Sequence, residues 1–198
     1  MNDHAGKYAD YFRHLKKLSL LGLIYHRFYK LPLLYVILRL FGKRIIEVGS
    51  GVGNGVLGSF SSRTVGLDVN PLAVQFCKDR GLSAELVGEN GRYPFEDSFF
   101  DAVLLDNVLE HIQNPQTTLD ECWRVTSPKG GLVIAVPGLS GFHFDSDHKI
   151  YYDEVRLRNL DRRWRLHSLF SLPFIFKSNR LSGFLKQYCL VAIYKKIP

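Results

Sequence analysis

Residues 43–58 read KRIIEVGSGVGNGVLG. A short apolar run, Ile45 to Val48, carries one acid, Glu47, and then glycine recurs at Gly49, Gly51, Gly53 and Gly55. An apolar strand that runs into a glycine-rich turn and then a helix brings backbone close to a ligand, because glycine has no Cβ and tolerates positive φ. This arrangement is a nucleotide or nucleoside site by default. The rest of the chain must say which.

Working outward, the pattern is strand followed by helix, repeated. Strand one covers 44–48. The helix after the turn is weak, since Gly55 and Gly58 each cost about 1 kcal/mol relative to alanine. Strand two runs from Thr64 to Asp68. In Asp68-Val69-Asn70-Pro71, Asn70 is a helix cap and Pro71 takes the first helical position. That helix stops at Gly81. Strand three is Ala84 to Val87, followed by a polar turn. Strand four, Ala102 to Leu105, is wholly apolar, as a parallel strand covered on both faces should be. A helix from Pro115 places Leu119, Cys122 and Trp123 at helical spacing and ends before Pro128. Strand five is Leu132 to Val136. Alternation of this kind makes a parallel sheet with helices on both faces.

The flanks are less regular. Residues 7–41 read as helical, broken at Pro32, which starts a second helix. They form an N-terminal helical cap over the sheet or the substrate pocket. Residues 137–150 read as a loop, Tyr152 to Asp161 as a helix, Trp164 to Ser168 as strand six and Tyr188 to Tyr194 as the last strand. The whole reads as one domain over 1–198: cap 1–42, cofactor-binding core 43–138, acceptor loop and C-terminal strands 139–198.

The chain carries 26 Lys and Arg against 19 Asp and Glu, a net charge of +7. Basic residues crowd at the two ends among apolar ones, which reads first as a solvated surface and, more sharply, as suited to an anionic membrane surface or an anionic substrate. No nucleic-acid partner is expected, since neither an RRM-type stacking motif nor metal-finger spacing occurs. Cys77, Cys122 and Cys189 are too scattered for a disulfide framework or a metal site and fit a reducing cytoplasm. No secretory leader and no run of 18 apolar residues is present, so the expected location is cytoplasmic, with peripheral membrane contact through the basic-apolar ends.

Two cofactors compete for the turn. A dinucleotide needs G-x-G-x-x-G directly after the strand. Counted from Gly49, the sixth position is Asn54, so that reading, an NAD(P)-dependent oxidoreductase, is disfavoured. The acid-x-Gly-x-Gly-x-Gly pattern of Glu47, Gly49, Gly51 and Gly53 suits S-adenosylmethionine. Glu47 faces the positive end of such a cofactor, where a pyrophosphate would be repelled. Asp68, about 20 residues on, can accept from both ribose hydroxyls, though the same layout serves NAD.

RYPFEDSFFDAVLLDNVLEHI (92–112) and WRVTSPKGGLVIAVPG (123–138) decide between them. With the glycine turn and Asp68 they closely resemble the class I S-adenosylmethionine-dependent methyltransferases, the small-molecule family with a compact Rossmann-like core. The resemblance covers residues 43–138. It implies a seven-stranded, mostly parallel sheet with an antiparallel last strand beside strand six. It also implies that Gly49, Gly51 and Gly53 line the methionine and ribose, that Asp68 binds the ribose and that Val69 packs on the adenine. Glu89, with Asn90 replacing or assisting it, stands where the family has an acid near the adenine amino group. Asp106 and Asn107 lie beside the methionine tail and methyl group, and S-adenosylhomocysteine is the product.

The implied reaction is attack of an acceptor on the sulfonium methyl, with a proton removed if the acceptor is a hydroxyl. His111, just after strand four, and His148, in the HFDSDHK loop (143–149), are the candidate catalytic bases. The loop's acids and histidines read as a solvated charge cluster, and no metal is expected. The acceptor is a small molecule, a lipid or a glycan, methylated at oxygen. The alternative is a non-catalytic S-adenosylmethionine-binding partner or sensor. The motifs leave the oligomeric state open.

Overall fold

The computed structural model describes residues 24–174 and 178–197. The readings for residues 1–23 lie outside them. Seven strands form one sheet: β1 (Ile45–Val48), β2 (Thr64–Asp68), β3 (Ala84–Leu86), β4 (Phe100–Asp106), β5 (Thr126–Pro137), β6 (Trp164–Leu172) and β7 (Cys189–Lys196). Their order is β3-β2-β1-β4-β5-β7-β6. The first five are parallel, and β7 lies antiparallel between β5 and β6. The Rossmann-like α/β fold is therefore as expected, down to the inserted last strand.

The central strands are buried throughout because both faces are covered. Alternate residues feed two cores. Ile46, Val48, Val103, Leu105 and Ile134 pack with Leu119 and Val125 on one face. Ile45, Leu104, Val133 and Val191 pack with Leu31, Leu34 and Leu38 on the other. The helices that supply these layers include α1 (Leu31–Arg39), α2 (Val56–Ser59), α3 (Pro71–Asp79) and α4 (Gln116–Val125). Asn70 caps α3, its side chain accepting from the Leu72 and Ala73 amides, with Pro71 in the first turn.

Four local readings change. Pro32 stands in the first turn of α1, as expected, but does not interrupt the helical path before it. A π-helical turn, His26–Lys30, runs straight into α1, and the Leu31 amide donates to the His26 carbonyl. The wider turn tolerates a residue that has no amide hydrogen and crowds the carbonyl four residues back. Strand β5 starts earlier than Leu132, at Thr126. Residues 139–144 are not loop but a short helix, α5 (Leu139–Phe144). Its first amide, Leu139, donates to Ser182 Oγ, and the Gly138 amide donates to the Tyr188 carbonyl. Partners that far along the chain leave no local signal. The helix expected over 152–161 shrinks to α6 (Glu154–Arg158), capped by Asp153. A last helix, α7 (Asn179–Phe184), precedes β7. Among the described residues no helix is long and apolar enough to cross a membrane.

Candidate active site

Strands β1, β2 and β4 end at one edge of the sheet, where ligands bind in this architecture. The turn after β1 holds Gly49, Gly51 and Gly53 at φ 71, 53 and 73°. A side chain on Gly49 would be strained and would also meet Val108 Cγ2 at 2.5 Å. A side chain on Gly58, in α2, would run into the Gly53 carbonyl, so α2 can lie against the turn only without one. Gly53 faces inward, against Leu82 and Cys77. Gly49 and Gly51 line a cavity of about 240 Å³, together with Glu47, Asp106 and Asn107.

Glu47 is buried, and its carboxylate accepts from the Leu57 amide at 2.6 Å and the Val56 amide at 3.3 Å. It therefore pins the start of α2 while bordering the cavity. Burial raises its pKa to about 7 despite those two bonds.

Asp68 is 3% exposed. Its Oδ2 accepts from the Gly51 amide at 2.7 Å and its Oδ1 from the Asn70 amide at 2.8 Å. Burial raises its pKa and the backbone bonds oppose the rise. The carboxylate thus ties the glycine turn to the end of β2, beyond any ribose contact. Val69 beside it is exposed and presents an apolar face. Glu89 and Asn90 sit exposed in the turn after β3 and do not line the cavity.

At the end of β4, Asp106 pairs with Lys30 Nζ at 2.5 Å, with His26 Nε2 at 3.7 Å. Both partners come from the N-terminal helix, which the sequence presents only as an apolar cap. His26 and Lys30 do share a helix face by their spacing, the one local signal available. Asn107 follows at φ 54°, a conformation Asn tolerates better than most residues.

A second cavity, of about 400 Å³, adjoins the first. Tyr25, Pro137, Phe144 and Tyr188 give it apolar walls, and Lys30, Glu110, His111 and His148 give it polar ones. His26, Asn107, His111 and Asp145 line both cavities. The structure thus brings both histidines to one place, their ring centroids 4.6 Å apart. Burial lowers the His111 pKa, with the His148 charge adding to the effect. His148 Nδ1 lies 2.8 Å from the Phe142 carbonyl, and its Nε2 lies 3.9 Å from Glu110 Oε1. Glu110, the acid that precedes His111 in the sequence, is fully buried beneath them, and burial lifts its pKa to about 8.

Comparison with known proteins agrees with this geometry. Residues 46–134 match the family model described as a methyltransferase domain. A demethylmenaquinone methyltransferase of Tropheryma whipplei is 30% identical over 98 residues, 47% of this chain and 41% of that protein. A Mycobacterium ulcerans protein named "Probable phthiotriol/phenolphthiotriol dimycocerosates methyltransferase 2" is 37% identical over 106 residues, 48% of this chain and 40% of that protein. The chain thus spans about two fifths of the length of these curated relatives. A solved S-adenosylmethionine-dependent methyltransferase of Thermotoga maritima, described as a possible histamine N-methyltransferase, superimposes with a TM-score of 0.69. It is 16% identical, with 96% of this chain and 99% of that one covered, which shows a shared fold. Residues 46–134 are therefore a methyltransferase domain of the class I, S-adenosylmethionine-dependent kind.

Proposed function

We propose that this chain methylates a small hydroxyl-bearing acceptor, lipid or glycan, held in the larger cavity. The observation that carries this is the junction of the two cavities at His26, Asn107, His111 and Asp145. One chamber is floored by the glycine turn, the other is walled by aromatic and ionisable side chains, and they meet where donor and acceptor must.

The smaller chamber suits the cofactor. Gly49, Gly51 and Gly55 bring bare backbone to the cavity wall, and Glu47 and Asp106 supply negative charge beside it. Bound S-adenosylmethionine supplies a methyl on a cationic sulfur, whose carbon–sulfur bond breaks with its electron pair going to sulfur as the acceptor's lone pair bonds the carbon. Gly49, Gly51 and Gly53 shape the turn on which the methionine and ribose rest. Asp68 holds the turn and offers its remaining lone pairs to the ribose, and Val69 offers its exposed side chain to the adenine, with Glu89 and Asn90 at the outer rim. Asp106 and Asn107 close the methionine end. His111 and His148 stand where the acceptor's proton is released.

The apolar walls favour a lipid acceptor over a glycan. The N-terminal helix and the turn after it bear exposed Phe28, Val36 and Leu40 along with Arg27, Arg39 and Lys43, a combination that suits an anionic bilayer surface. The test is transfer of labelled methyl from S-adenosylmethionine to extracted lipids and glycans. Label is expected in lipid, and faster transfer from anionic than from neutral vesicles. Label in glycan alone would reject the lipid reading. Binding of S-adenosylmethionine without transfer to any fraction would leave a non-catalytic binder.

Glu47 gives a separate prediction. With its pKa near 7 in the free protein, part of the population is protonated at pH 6.5. A cation placed beside it favours the ionised form, so its pKa falls on binding and a proton is released. Calorimetry of S-adenosylmethionine binding in two buffers of different ionisation enthalpy should show up to one proton released at pH 6.5. The release should vanish above pH 8 and in Glu47→Gln. Equal heats in both buffers would remove Glu47 from the cationic end of the site.

A further inference from the structure

The geometry points to a divalent-cation site made by Glu110, His111 and His148. Ligand atoms from all three side chains lie within 4.8 Å of one another. Two ligands that share one tetrahedral ion at about 2.1 Å each are about 3.4 Å apart. Side-chain rotations that bring the widest pair together by up to about 1.4 Å therefore close the set.

Two observations indicate a ligand beyond mere proximity. Glu110 is fully buried, and neither of its carboxylate oxygens has a hydrogen-bond partner among the described residues. Buried polar atoms are almost always paired, and a buried carboxylate without a partner is costly. The orientation of His148 sharpens the point. Its Nδ1 lies 2.8 Å from the Phe142 carbonyl, which can only accept, so Nδ1 carries the hydrogen. In the neutral ring Nε2 then bears a lone pair, 3.9 Å from Glu110 Oε1. Lone pair faces the Glu110 carboxyl group across a gap too wide for a hydrogen bond. A cation in that gap satisfies both, with any proton on Glu110 released to solvent. Imidazole metal ligands commonly donate their other N–H to a backbone carbonyl, as His148 does here.

The backbone holds the set in place. Glu110 and His111 occupy the 3-10 turn Leu109–His111 that follows β4. The amides of Lys149 and Ile150 donate to the Glu110 carbonyl at 2.6 and 3.1 Å, which clamps the loop that carries His148 onto that turn. All three side chains line the 400 Å³ cavity, so the remaining coordination positions face the space assigned above to the acceptor. Two imidazoles and one carboxylate suit zinc, manganese, iron or cobalt better than the all-oxygen preference of magnesium or calcium. The inference rests on the proposed reading only for what the ion does. An acceptor hydroxyl bound through oxygen becomes more acidic and gives its proton to water, and its lone pair then takes the methyl. Both histidines serve as ligands, and neither takes the proton.

The test reads metal binding, so its failure is distinct from failure of methyl transfer. The full chain is stripped with EDTA and titrated with zinc by calorimetry, and with cobalt by visible absorption. One zinc per chain is expected, with a cobalt spectrum free of thiolate charge-transfer bands. His148→Ala and Glu110→Gln should each weaken zinc binding by about 100-fold, with His143→Ala, in the preceding helix α5, as the unchanged control. Circular dichroism checks that each variant folds, and the wild-type cobalt spectrum stands without them. No stoichiometric binding by the wild type, thiolate bands, or full affinity in both folded ligand variants would overturn the site.

Discussion

Replacing Lys30 by methionine is expected to lower the free energy of unfolding by about 3–5 kcal/mol at neutral pH. Lys30 is 3% exposed, and its ammonium sits 2.5 Å from the buried Asp106 carboxylate. Burial alone would raise the Asp106 pKa, but the Lys30 charge, with His26, outweighs it and brings the value down to about 2. For Lys30, burial works against the charged form and Asp106 more than restores it. Methionine fills most of the volume but leaves the buried carboxylate without its ammonium partner, with His26 Nε2 at 3.7 Å still facing it. Removing both charges, in Lys30→Met with Asp106→Asn, should recover much of the loss. Urea denaturation of the three proteins measures this, and a drop below about 1 kcal/mol in the single variant would show that the pair is not a buried one. The sign with pH follows from the same value. A folded-state pKa near 2 lies below the usual 3.9 or so, so the contribution is present above about pH 4 and is lost as pH falls toward 2. The pair also fastens the N-terminal helix to the end of β4, so the variant should loosen the wall that Tyr25, His26 and Lys30 give the acceptor cavity.

Asp68→Ala is the second large effect, and it has two parts. The carboxylate accepts from the Gly51 and Asn70 amides, both otherwise buried against β2. Each amide left without an acceptor costs about 1–3 kcal/mol, so about 2–6 kcal/mol of stability should go. Affinity for S-adenosylmethionine should fall by roughly 1.5–3 kcal/mol, through lost charge-assisted bonds to the ribose and a turn no longer held in shape. Thermal unfolding reads the first part and calorimetry under folding conditions the second. Normal stability would mean that the turn holds itself. Normal affinity in a folded variant would remove Asp68 as the ribose ligand.

These two variants mark different depths of legibility. Asp68 stands out in the chain because the residues around it, from the strand to the Asn70 cap and Pro71, are signals read within a few positions. Its bond to Gly51 spans only 17 residues and joins two motifs already recognised. Lys30 gives no such signal. Its partner is 76 residues away, and before the chain folds it is one basic residue among many in an apolar segment. Glu110 is legible as an acid beside His111, but nothing local says that its carboxylate is fully buried or that His148 arrives above it. That depends on the Lys149 and Ile150 amides docking onto its carbonyl.

The sequence by itself determined the alternating strands and helices, the glycine turn after β1, the cap of α3 and the class of cofactor. All of these rest on short-range backbone preferences and on the apolar patterning of single elements. Tertiary structure alone decided that α5 forms on bonds to Ser182 and Tyr188, and that Glu47 spends its oxygens on the start of α2. It alone joined the two cavities at His26, Asn107, His111 and Asp145. The physical reason is common to them. Each depends on burial and on partners brought together across the sheet edge, and a carboxylate's charge, bonding and ligands follow from its surroundings more than from its neighbours in the chain.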